Sequence, residues 1–205
     1  MSIFNNPINF LVILAIAIPV VAYIFLFTHE TGHYLAGILL GYKANEVVIG
    51  TCRHIADCEI NGTIFRFNLF PGGGRCGKAN TIMPEFGSVW KALIFYSAGT
   101  LINIIISCIV FWILVCCNLS WAYIACYYML TYSIGGIIPK AQYCDGKAVL
   151  LIAISCISKK CNFNFVKERY DRELPPIFLN LFKLTGLLFY IIMFTLIPAY
   201  FWLTN

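Results

Sequence analysis

Within the stretch FTHETGHYLAG, His29, Glu30 and His33 sit together at the end of a long apolar run. On a helix, residues four positions apart share one face, so the two imidazoles converge. At that spacing they can grip a single zinc ion, and Glu30, beside the first ligand, can reach a water there as general base. This is the H-E-x-x-H arrangement of metalloproteases. The plainer alternative is a buried polar cluster that only bonds its neighbours. That is costly in apolar surroundings, where ionisable groups are rare and usually functional.

Zinc needs a third protein ligand, with the fourth position left for water. The candidate is Asp145 in PKAQYCDGKAVLL, just after Pro139 interrupts an apolar run, with Gly146 allowing a tight turn into the next one. The competing reading of Asp145 is a helix cap. Glu168, Asp171 and Glu173 lie in KERYDRE, which reads as a solvated face. His54, the only other histidine, lies in the polar stretch TCRHIADCE.

The elements that must position these groups read as membrane helices. Of 205 residues, 60% are hydrophobic and 11% charged, far from ordinary soluble usage. The expected fold is an all-α polytopic membrane protein of about four transmembrane helices, a three-helix core plus one C-terminal helix. The spans are expected at 7–40, 90–117, 120–138 and 176–203, with a shorter apolar run at 148–157. About twenty mostly apolar residues precede His29, roughly 30 Å of helix, which puts the histidines within the membrane boundary. The first segment lacks a basic start and carries HETGH, so it does not read as a cleaved signal peptide. A single membrane-embedded domain over 1–205 is expected.

Lys and Arg gather in the 41–91 and 140–172 connections, with Lys183 near enough to snorkel to the same side. By the positive-inside rule both connections face the cytoplasm and both termini lie outside, so the active site opens towards the cytoplasmic side. The net charge of +5 is spread and interleaved with acids, which suits an anionic inner leaflet and calls for no nucleic acid. The ten cysteines include no C-x-x-C pair, so a zinc knuckle is not expected. They read as reduced thiols or small apolar fillers. The wealth of Ile, Asn, Phe and Lys suggests a bacterial cell membrane.

Three motifs together resemble the site-2 protease family of intramembrane zinc metalloproteases. HETGH matches the family's H-E-x-G-H. AGTLIN, Ala98 to Asn103, is similar to its A-G-P-x-x-N, with Thr100 in place of Pro. IIPKAQYCDG resembles its N-x-x-P…D-G motif, with Gly136 where the family has Asn and a longer gap to Asp145. The resemblance implies one Zn²⁺ per chain on His29, His33 and Asp145, with Glu30 catalytic. It implies a small membrane-associated β-hairpin after the first helix. Phe65, Phe67 and Leu69 alternate with polar residues, and Ile60–Asn61–Gly62–Thr63 reads as the hairpin turn. Pro71–Gly72–Gly73–Gly74 resembles the family's P-x-G-G loop, so Gly72, Gly73 and Gly74, with Asn103, are implied in substrate binding. A flexible connector and an interhelical bond are the alternatives for the glycines and for Asn103. No PDZ or CBS domain is expected.

The expected activity is intramembrane endopeptidase cleavage in or near transmembrane segments. Its substrates would be single-pass membrane proteins, signal-peptide remnants or small peptide precursors, with membrane lipid around them and an accessory subunit or homo-oligomer as further partners. The competing classes are a non-catalytic, pseudoprotease-like binding protein and a metal transporter. Glu30 has no ligand duty, which argues against the first. The single ligand cluster argues against the second.

Overall fold

The computed structural model of the protein describes residues 7–78, 85–117, 130, 133–135, 138, 144–158, 162–173 and 175–191, with side chains from residue 19 onward and without those of 189 and 190. The chain opens with helix α1, Pro7–Leu39, followed by strands β1, Glu46–Ile60, and β2, Thr63–Gly77. Helix α2 is Val89–Cys116. Three shorter helices follow: α3, Asp145–Ile157, α4, Phe163–Asp171, and α5, Pro176–Ile191.

This corrects the expectation of a four-span all-α protein. Among the described residues, only α2 is long and apolar enough to cross a membrane, by length and composition. The two strands add a sheet of 15 residues on each side of the turn. Apolarity alone does not separate span from core here: α1 packs Phe25, Leu26, Tyr34 and Ala36 inward together with Glu30 and His33. The expected third span lies largely outside the described residues, as do Gly136, Pro139 and the part of the fourth span beyond Ile191.

The hairpin forms where expected. Asn61 and Gly62 both take positive φ, 53° and 75°, as a type I′ turn requires. The strands are longer than a simple hairpin and bend on themselves. Glu46–Ile49 pairs with Gly77–Gly74 and also lies alongside Ile64–Phe67. The bend occurs at Gly50, with φ 88°, where a Cβ would come within 2.8 Å of the Asn68 and Phe70 carbonyls. Covered on both edges, Val47 and Ile49 are fully buried, and with Phe65 they pack onto Leu26 and Tyr34 of α1. Tyr23 fixes the bend to α1 by donating to the Asn68 carbonyl at 2.9 Å.

From Gly99 onward helix α2 is polar inside and apolar outside. Thr100, Asn103 and Ser107 are buried, while Leu101, Ile105, Ile109 and Trp112 are more than half exposed. That inversion suits a helix with protein on one face and lipid on the other. Its first turns join Tyr42, Phe86, Ala148, Ile152, Phe163, Val166 and Tyr170 in one apolar cluster. Helices α3 and α4 are therefore docked on the same end of α2.

Candidate metal centre

The α1 turn that carries HETGH is pressed against α2. A Cβ on Gly32 would lie 2.8 Å from the Ala98 carbonyl oxygen and 2.9 Å from the Gly99 Cα. A Cβ on Gly99 would lie 2.7 Å from His33 Nε2 and 2.8 Å from His29 Nδ1. Real side chains do not tolerate such distances, so glycine at both positions is what lets the helices approach this closely. Below this crossing, Asn103 closes the contact. Its Nδ2 donates to the Phe25 carbonyl at 3.1 Å, and its Oδ1 accepts from Thr28 Oγ1 at 2.6 Å.

His33 is buried, and its ring lies 5.1 Å from the ring of Phe95. Its Nδ1 donates to the Phe95 carbonyl at 2.7 Å. That bond places a proton on Nδ1 and turns Nε2 towards His29 and Asp145, the orientation a metal-ligating histidine needs. His33 Nε2 lies 3.1 Å from His29 Nε2.

Asp145 comes from the first turn of α3. Cys144 precedes the helix as its cap, with Sγ accepting from the Lys147 amide at 3.4 Å. Asp145 Oδ2 lies 2.8 Å from His29 Nε2 and 3.1 Å from His33 Nε2. The three ligand atoms thus form a triangle. A tetrahedral zinc centre with bonds of about 2.0–2.1 Å has edges of about 3.3 Å, so opening this triangle by a few tenths of an ångström would admit the ion. The donor set, two imidazoles and a carboxylate, is one that zinc accepts, and the residues fit the metal.

Glu30 is buried beside the triangle. Over it runs the glycine stretch of β2. A Cβ on Gly74 would overlap the carboxyl, 2.5 Å from Oε1. Gly72 faces Thr51 of β1 instead, at 2.7 Å from its Oγ1, and Gly73 faces open space. Of the expected substrate-binding residues, the structure therefore brings only Gly74 to the general base, whereas Asn103 has both ends of its amide engaged by α1. Cys76, two residues on from Gly74, has its thiol pushed well up by burial and then by the Glu30 and Asp145 carboxylates. His54 is exposed on β1 beside Asp57 and stands apart from the triangle.

Sequence reasoning missed Phe95, whose carbonyl carries no side-chain signature, and the contact role of Gly99. KERYDRE is the solvated stretch expected, with Glu168 and Arg172 exposed as an ion pair, except that Tyr170 turns inward.

The family described as Peptidase family M50 matches residues 15–197. The chain belongs to this family. It is the site-2 protease family, whose members are zinc metalloproteases of membranes, so the chain is a metallopeptidase in kind. The α1–α3 triangle supplies a possible metal site for it, and α2 a helix apolar enough to span a bilayer. No curated protein matches the chain.

Proposed function

We propose that the chain is an intramembrane zinc endopeptidase. The observation that carries this reading is the convergence of His29, His33 and Asp145 on one point, with three edges of 2.8–3.1 Å, next to a buried glutamate that is no part of the triangle. The family membership supports it.

Zn²⁺ bound at this point would supply Lewis acidity, which lowers the pKa of a water from about 15.7 to about 7 and polarises a carbonyl. The chain's own groups do the rest. His29, His33 and Asp145 would hold the ion, with the Phe95 carbonyl orienting the His33 ring for it. Glu30 takes the proton from the attacking water at its carboxylate and delivers it to the departing amine. Its burial keeps that proton from bulk water between the two events. Gly74, with no side chain, lets an extended peptide backbone come down beside Glu30 along β2.

A helical peptide bond is hidden by its own hydrogen bonds, so the substrate unwinds locally before cleavage. The substrates are single-pass membrane proteins, signal-peptide remnants or small peptide precursors, cut in the bacterial cell membrane from its cytoplasmic side. The test is a comparison of membrane and secreted peptides from cells making wild-type or Glu30→Gln protein at equal abundance. A precursor or uncut apolar segment accumulates only with Glu30→Gln, and chelator reproduces that pattern in isolated membranes. Equal cleavage by both proteins overturns the reading in favour of a non-catalytic binding protein.

A further inference from the structure

Lys147 is the residue the mechanism leaves unexplained. It lies two positions after Asp145, in the first turn of α3, where a cation opposes the helix dipole. It is only 1% exposed, although lysine is almost never fully buried unless paired. Two backbone carbonyls receive it. Nζ donates to the Tyr170 carbonyl at 2.8 Å and lies 3.4 Å from that of Arg172. It also sits 5.1 Å from the centre of the Tyr170 ring.

These carbonyls belong to the C-terminal end of α4. The last carbonyls of a helix have no helical donors and carry partial negative charge, so the end of α4 is where a buried amine is best received. Helix α4 is in turn seated on α2. Val166 is fully buried, and the rings of Tyr170 and Tyr96 lie 6.0 Å apart. Tyr96 follows Phe95, whose carbonyl orients His33. Two adjacent residues of α2 therefore reference the centre by two routes: Phe95 directly to His33, and Tyr96 through Tyr170 and Lys147 to the turn holding Asp145.

We propose that Lys147 is the positioning residue for Asp145, fastening the first turn of α3 to the end of α4 so that α4 sets where the third ligand stands. This inference rests on the metal-centre reading above. It makes α4, which supplies no ligand, a determinant of how firmly the metal is held. A ligand without that fastening still binds, but lets go sooner.

The test uses full-length protein in detergent loaded with Co²⁺, with release to a chelator followed through the metal's visible spectrum. Lys147→Met keeps the length of the side chain and removes the donors. We expect it to shift the cobalt spectrum and to release the metal about ten-fold faster, the lower end of what losing a partner behind a ligand costs. Val47→Ala, a truncation in the separate apolar cluster between the hairpin and α1, is the control. It lowers melting temperature without changing spectrum or release.

A second measurement needs no variant. Coupling is reciprocal, so metal loading of the wild type slows amide hydrogen exchange in the last turn of α4 several-fold, and more than in α5. If cobalt-loaded Lys147→Met matches wild type in spectrum and release, or if α4 exchange ignores the metal, the inference is overturned and the metal-centre reading stands. A wild type that takes up no cobalt overturns the metal-centre reading, and this inference with it.

Discussion

On the α1–α2 side of the metal centre, backbone meets backbone. Gly32 and Gly99 leave no room for a methyl group, and His33 is fixed by a carbonyl of the neighbouring helix. On the α3 side, one long side chain spans to α4, and Asp145 keeps 23% of its side-chain surface open. The first side is set by shape and has little freedom to adjust. The second rests on the packing of Ala148 and Ile152 and on hydrogen bonds that Lys147 makes at the end of a flexible stem. The difference teaches that two ligands are built in with the fold and the third is brought up to them, so the Asp145 side is where the centre can open by the few tenths of an ångström that the ion needs.

The largest break of this contrast comes from the rigid side. Gly99→Ala places a methyl group 2.7 Å from His33 Nε2, and α2 must retreat or the imidazole must turn. Misplacement of catalytic groups by about 1 Å costs on the order of 100-fold in rate. We expect peptidase activity in proteoliposomes to fall by at least that much, with metal content falling too. Retention of both would show that the rigid side yields. Next comes Gly74→Ala, whose methyl group meets Glu30 first. Activity falls about 10-fold, less than the roughly 10²–10⁴-fold that general-base catalysis contributes because Glu30 is displaced and not removed, while cobalt binding stays intact. Gly73→Ala, facing open space, stays within about two-fold. If the two glycine variants behave alike, the hairpin's backbone does not cover the general base in the working enzyme.

The rigid side was legible in the sequence because its chemistry is local. HETGH announces its helix, its spacing and its general base in five residues. The hairpin turn was legible for the same reason, since Asn61 and Gly62 are residues that tolerate positive φ. What stayed hidden depends on distant pairings. Nothing in FNFVKERYDRE says that Tyr170 turns inward to meet Tyr96, or that the carbonyls behind it receive Lys147. Lys147 itself falls among the basic residues of the 140–172 connection that orient the chain, and the sequence does not show that it is buried. The number of membrane spans was misjudged because apolar content measures burial of either kind, in lipid or in protein.

A middle-sized effect separates packing from substrate contact at Asn103. Both ends of its amide are used in holding α1, and removing one member of such a buried set costs about 1–3 kcal/mol. Asn103→Leu therefore lowers melting temperature while kcat and KM per folded molecule stay within about three-fold. A KM increase of ten-fold or more with unchanged stability would instead assign Asn103 to the substrate.

The smallest effect concerns a second tie from α4, and it sharpens the contrast because it is the solvent-exposed counterpart of Lys147. Lys167 of α4 pairs with Glu85 in the connection just before α2. The hydrogen bond from Lys167, and then its charge, hold the Glu85 carboxyl below the ordinary carboxylate range. A carboxylate lowered on folding contributes stability that is fully present above its unfolded pKa, about 4.3. That contribution fades as pH falls through the lower folded value. The melting-temperature difference between wild type and Glu85→Gln should therefore be constant from pH 5 to 7 and shrink below about pH 4. Being exposed, the pair is also screened, so 0.5 M salt narrows the difference. Cobalt release by Glu85→Gln should match wild type at every pH where both are folded. A faster release would mean that α4 is held in place from its surface, and the special standing of the buried Lys147 tie would be lost.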